Sequence, residues 1–234
     1  MEPTASELFG NAEDRRAYEE FCANQEQVPA FELDRPALVC RWRMAKRTVP
    51  LLNRHIRALS QRVVSGAPLT RNMLSWAKQH VEWSLADGAY DDPNGVLMLV
   101  IDVNGNAAMT VGAYEPLSDT SAAALTDRAA QARDEAAKTG IAPELLCFVR
   151  DGVLHIAAEP DEVLCGAGTL VEQLASTRGY AIVRDGAAGL VATGPVALIS
   201  DEHGVVVSEE AAGIESQDTA MLDFFASGMA KLYA

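Results

Sequence analysis

An α+β fold in two lobes is predicted by three features of the 234-residue chain. Two turns, Asn104-Gly105 and Asp151-Gly152, each join a pair of apolar runs of strand length. Around them stand segments whose apolar residues recur every three or four positions, the spacing of a helix. A short stretch of small and polar residues, Tyr114 to Thr120, separates the two sets, and the lobes are expected to meet there. The expected division is an N-terminal helical extension over 1–30, a small α+β lobe over 31–114, a linker over 115–120 and a larger α+β lobe over 121–234.

Each element follows from its residues. Leu8, Ala12, Ala17 and Phe21 predict a peripheral helix over 4–25. After Pro29 and Pro36, the run Ala37 to Met44 reads as a strand. Leu52, Ile56, Leu59 and Val63 fall on one helical face, and Gly66 and Pro68 stop that helix. Thr70 is the expected N-cap of a second helix, whose stripe is Met73, Leu74, Ala77, Val81 and Leu85, ending at Asp87-Gly88. Val96–Val103 and Asn106–Ala113 then form a hairpin about Asn104-Gly105, because Asn-Gly supplies the two positive φ values of a type I′ turn. An Ala-rich helix from Ser121 to Thr139 closes at Gly140. Leu145–Arg150 and Val153–Ala158 make a second hairpin, and Gly166-Ala167-Gly168 opens a helix closed by Gly179. Short strands follow at Tyr180–Val183, Gly189–Thr193, Val196–Ser200 and Val205–Ser208, then a helix with Met221, Leu222, Phe225, Met229 and Leu232 inward.

Charge is distributed unevenly. The net charge is −14, yet Arg35 to Val81 holds ten bases and no acid, leaving nine bases against 33 acids elsewhere. Such a chain is no general nucleic-acid binder, whose phosphate partner needs a net basic footprint. The block is suited to a local anion site, a subunit contact or a solvated face. The longest uncharged stretch, Gly186 to Ser200, is too short and too broken to span a membrane. The first thirty residues are acidic where a signal peptide is basic and then apolar. Cys22, Cys40, Cys147 and Cys165 form no CxxC pair, so buried free thiols in a reducing cytoplasm are expected.

The order of elements, with two helices ahead of the first hairpin, resembles the fold-type IV pyridoxal-phosphate enzymes: the branched-chain and D-amino-acid aminotransferases and the aminodeoxychorismate lyases. In "LVCRWRMAKRTVPLLNRHIRAL" (Leu38 to Leu59), Arg43 takes the Arg place of the family's Phe-Glu-x-x-Arg and His55 the His place of its His-φ-x-Arg-Leu. "ARDEAAKTGIAPELL" (Ala132 to Leu146) is similar to the helix that ends in Gly and runs into a strand. "GVLHIAAEPDEVLCGAGTLVEQLASTRGYAIV" (Gly152 to Val183) resembles the family's segment leading to Gly-Ile-Thr-Arg and the following helix, and "ATGPVALIS" (Ala192 to Ser200) its Thr-Gly-Thr-Ala loop. The resemblance covers about residues 37–234, and none of its motifs is intact. It implies a D-amino-acid aminotransferase-like architecture, a dimer, and pyridoxal phosphate held by Gly166, Gly168, Thr169, Thr193 and Gly194. Substrate would lie near Arg43, His55 and Arg57.

The departures fall on the chemistry. Only an amine can hold the cofactor's aldehyde, and the family's lysine aligns with Ala122. The four lysines are Lys46, Lys78, Lys138 and Lys231, and Lys138 lies about four helical turns from Ala122. The phosphate Arg falls at Ala58, with Arg57 one position off, about 100° around the helix. The stretch that supplies the Glu facing the pyridine nitrogen is missing between Leu146 and Val153.

Other candidates are weaker. Trp76 and His80, at i and i+4, are expected in the core or at the lobe interface, and His155 and His203 in exposed hairpins. No His has a second His or Cys at ligand spacing, so no metal is expected. Gly166–Thr169 could seat a phosphate on backbone N–H groups, although most such turns are only tight turns. Together these features suggest a degenerate class IV aminotransferase-like protein without cofactor. It would bind a small anionic metabolite between the lobes, or act as a dimeric scaffold, with no nucleic-acid or membrane partner. An active aminotransferase or lyase with an unrecognised lysine, and an interaction module built on 35–81, are the alternatives.

Overall fold

The structure, a computed structural model, describes residues 36–234 except 65, 89, 91, 105, 141 and 187–193. The predicted helix over 4–25, Cys22, the strand Gly189–Thr193 and the site residue Thr193 therefore lie outside the described residues. Helices and strands are mixed in the order β1 (Pro36–Arg43), α1 (Leu52–Leu59), β2 (Val63–Val64), β3 (Ala67–Pro68), α2 (Arg71–Ala86), β4 (Val96–Asp102), β5 (Ala107–Gly112) and α3 (Ala122–Thr139). There follow β6 (Leu145–Arg150), β7 (Val153–Ile156), α4 (Gly166–Thr177), β8 (Ala181–Arg184), β9 (Ala197–Ser200), β10 (Gly204–Val207) and α5 (Gln217–Ala230).

Among the described residues β1, β4 and β5 form an antiparallel sheet in the order β1-β4-β5. Leu97, Leu99 and Ile101, alternate residues of β4, pack with Leu52 and Leu59 of α1 and Ala77, Val81 and Leu85 of α2. The second sheet runs β10-β9-β6-β7-β8, with β7 and β8 parallel across α4. Both of its faces are covered. Leu145 and Cys147 face α4 and α5, where Val171, Phe225 and Met229 are buried. Leu146 and Phe148 face Leu125 and Ala129 of α3. Two covered faces explain why β6 and β9 read as continuous apolar runs.

Local signals hold where the backbone demands them. Thr70 and Ser121 cap α2 and α3 through Met73 and Ala124, and Gly140 ends α3 at φ 64. Asp151 and Gly152 both have positive φ, as a type I′ turn requires.

Three expectations are corrected. The β4–β5 ladder closes at Asp102 rather than at Val103, because Asp102 N–H donates to Asn106 O. The buried Asp102 carboxylate takes the N–H groups of Asn104 and Asn106, which sets the register one residue from that expected. Val63 is not on α1, which ends at Leu59. It pairs with Pro68 across a tight hairpin at Gly66, φ 80. Trp76 and His80 stack with centroids 4.7 Å apart on the outer face of α2, not in the core, since Ala77, Val81 and Leu85 claim the inner one. Trp76 is 42% exposed and Trp83 67%.

Candidate functional site

The two sheets are joined at the N-terminus of α4. Cys165 precedes the helix and its Sγ accepts the Gly168 N–H at 3.3 Å. The next free N–H groups, of Gly166 and Ala167, donate to the Asp201 carboxylate at 3.2 and 2.7 Å. Asp201 stands at the β9–β10 turn, and its Oδ2 also lies 3.1 Å from Nδ1 of His55 on α1. His55 is buried, with its ring stacked on Trp42 of β1 at 5.0 Å. The Asp201 carbonyl in turn accepts the Arg43 N–H at 3.0 Å. One residue thus ties β1 and α1 to α4 and β9.

Burial alone would raise the Asp201 carboxyl. The opposing charge and hydrogen bond of His55, with the two helix N–H groups, outweigh it and hold the carboxyl below its ordinary value. A helix N-terminus is a ready anion seat, and this one already holds an anion of the chain's own. The space around it is small. Two cavities of about 20 Å³ each flank Asp201, one beside Cys40 and Trp42, the other beside Arg41 and Glu144. Each has room for about one water molecule.

The sequence-predicted residues separate into three places. Gly166, Gly168 and His55 meet at this junction. A Cβ at Gly166 would stand 2.4 Å from His55 Nδ1, so only glycine permits the approach. Thr169 donates through its hydroxyl to Gly166 O at 2.8 Å and accepts from Arg54 at 3.2 Å. Arg57 lies near it, on the outer side of α1. Arg43 is elsewhere: its guanidinium lies over the Tyr114 ring, 2.9 Å from the centroid, and near Tyr233 at 5.6 Å. Gly194 is at φ 95 with open space around it, and Thr193 is outside the described residues. His203 is not exposed as expected. Its ring packs on Tyr114 and its buried Nδ1 has no hydrogen-bond partner.

A larger cavity, about 240 Å³, opens between α1 and α4 beside this junction. Arg54, Arg57, Gln61, Leu164 and Thr169 line it. Two residues that matter here escape a reading of the sequence. Asp201 sits in an acidic turn between strands, where a solvated carboxylate is the ordinary outcome, and Arg54 is one of ten bases in its block.

Comparison with known proteins agrees with this architecture. No protein-family model matches the sequence, and no curated protein is significantly similar. Solved structures do match. A hypothetical aminotransferase from Mycobacterium tuberculosis, in its PLP-bound form, superimposes with TM-score 0.58 at 14% identity, over 89% of this chain and 94% of that one. A fold IV transaminase from Curtobacterium pusillum gives 0.55 at 13% identity, over 88% and 89%. A 4-amino-4-deoxychorismate lyase from Pseudomonas aeruginosa gives 0.51 at 16% identity, over 77% and 87%. The chain has the fold of the fold-type IV aminotransferases and aminodeoxychorismate lyases.

Among the described residues, none around the junction or the α1–α4 cavity supplies the amine that pyridoxal phosphate requires. Lys46, Lys138 and Lys231 are exposed and Lys78 is partly so on α2; none lines the junction or the α1–α4 cavity. Ala122 starts α3, its N–H bound by Glu210 and its side chain against the apolar cluster of Leu125. The α4 N-terminus, where a phosphate would sit, is spent on Asp201. Cys165 offers no nucleophile, because burial pushes its thiol well above the ordinary value. Among the described residues no group of His, Cys, Asp and Glu is placed to hold a metal, and no helix is long and apolar enough to cross a membrane.

Proposed function

We propose that this chain uses the fold-type IV architecture as a binding protein for a small anionic metabolite, without pyridoxal-phosphate chemistry. One observation carries the reading: the Asp201 carboxylate occupies the N-terminal N–H groups of α4 and is locked to His55. A phosphate brought to the same groups would meet a fixed negative charge, and at 4 Å like charges repel by about 4 kcal/mol at an effective dielectric of 20. Fold does not determine chemistry, so the site decides. Purified protein mixed with pyridoxal phosphate is expected to show no stoichiometric visible band and no borohydride-fixed adduct on a lysine. A band lost on replacing a single lysine would overturn the reading in favour of an active aminotransferase or lyase.

A second reading, an interaction module on the basic block 35–81, is favoured by Trp76 of α2, which is exposed within that block. Large exposed aromatic side chains are enriched at contact surfaces. Sedimentation of the wild type against Trp76→Ser tests it: a self-associating protein that becomes monomeric in the variant supports this reading, and unchanged monomers count against it.

A further inference from the structure

The cavity between α1 and α4 is lined by two arginines, Arg54 and Arg57, that pair with no carboxylate among the described residues. Arg54 and Arg57 stand three residues apart on α1 and so share a face. The other charges around the cavity are accounted for. Arg184 makes two 2.7 Å hydrogen bonds to the Glu172 carboxylate. Glu162 receives Arg133 and the Glu159 N–H. Arg54, by contrast, donates only to neutral acceptors, Thr169 Oγ1 at 3.2 Å and Gln173 Oε1. Arg57 has no carboxylate within ion-pair distance among the described residues, in a chain with 33 acids and 19 bases. Burial and the neighbouring charge of Arg57 both lower the Arg54 guanidinium's hold on its proton, so the pair is crowded as well as without a carboxylate partner among the described residues.

We infer that this cavity is the ligand site, and that it takes a small metabolite carrying two negative charges, a phosphate monoester or a dicarboxylate. Arg54 and Arg57 hold its oxygens, with Thr169 and Gln61 alongside and Leu164 against its carbon skeleton. Guanidinium forks match the planar edges of carboxylate and phosphate, and two of them match a dianion. A volume of about 240 Å³ is below the range of about 300–1,000 Å³ that accommodates drug-sized ligands, so a compound of a few carbon atoms fits. The N-terminal amides of α4 take no part, since Asp201 keeps them. Recognition therefore rests on side chains alone, which makes it salt-sensitive.

The site rests on the reading of the chain as an anion-binding protein, and its test separates the two. Calorimetric titration of the full chain at low salt, with inorganic phosphate and with malonate, is expected to show saturable binding of at least one. Arg57→Ala should weaken that binding at least tenfold, about 1.4 kcal/mol, and Arg57→Lys should recover little of it. Arg71→Ala, an exposed base of the same block, should leave it unchanged. Which probe binds distinguishes the phosphate from the dicarboxylate source. Arg57 is exposed, so its variants are expected to melt with the wild type, and a melting scan checks that they do. The inference falls if neither probe binds, if Arg57→Ala binds normally, or if Arg71→Ala loses as much. A visible band of lysine-bound pyridoxal phosphate would instead sink the non-catalytic reading, whatever Arg57 does.

Discussion

Two helices of the second sheet begin on a carboxylate from later in the chain, and they differ in what that carboxylate reaches. At α3, both oxygens of Glu210 lie 2.9 Å from the Ala122 N–H, with Ser121 as the cap. At α4, Asp201 takes two N–H groups, with Cys165 as the cap. Both carboxyls are held below their ordinary values, Glu210 chiefly by the Ala122 N–H and Asp201 by His55 and the helix against its burial. Glu210 sits in water and touches one helix. Asp201 is largely enclosed and also binds α1 through His55. The same local chemistry is an optional cap at one helix and a tie between sheets at the other, because solvent screens only the first.

The strongest way to break this comparison is to remove the enclosed carboxylate. Asp201→Ala leaves a buried imidazole and two amide donors without their acceptor, and should destabilise the protein by about 3 kcal/mol in denaturant unfolding. Acid should reproduce part of that loss. The carboxyl is depressed on folding, so its contribution is full above the unfolded value of about 3.9 and is lost as pH falls through the lower folded value. The stability gap between wild type and Asp201→Asn should close below about pH 4. A smaller effect is expected from Gly166→Ala, whose Cβ would press on His55. Displacing that ring should cost about 1–2 kcal/mol and change the fluorescence of Trp42 stacked on it. Glu210→Gln should produce the smallest change, a melting temperature within error of the wild type. A Glu210→Gln loss as large as that of Asp201→Ala would end the distinction between the two helices.

Much of the fold was legible because it depends on neighbours in sequence. Thr70, Ser121, Gly140 and Asp151-Gly152 act within a turn or two, and each does what its chemistry requires. The register of β4 and β5 was less so, since Asp102 overrode the Asn-Gly preference with two side-chain hydrogen bonds. The site divided along the same line. His55 and Gly166 were recognisable from a resemblance of spacing, but their common partner was not, because nothing local marks Asp201 among the chain's acids. Arg43 stands in β1 where the sequence puts a strand, and its side chain lies over Tyr114 and near Tyr233, contacts that no local pattern marks.

The Asp201–His55 contact also has a place in time. Its residues are 146 positions apart, so the contact forms only after a very long loop has been closed. Contacts of that separation are expected late, once the local hairpins and helices have gathered the chain. A bond absent from the folding transition state governs how long the native state lasts rather than how fast it is reached. In a chevron plot Asp201→Ala should raise the unfolding limb and leave the refolding limb nearly in place. The carboxylate that closes the junction would then act as a latch on the lifetime of the folded molecule.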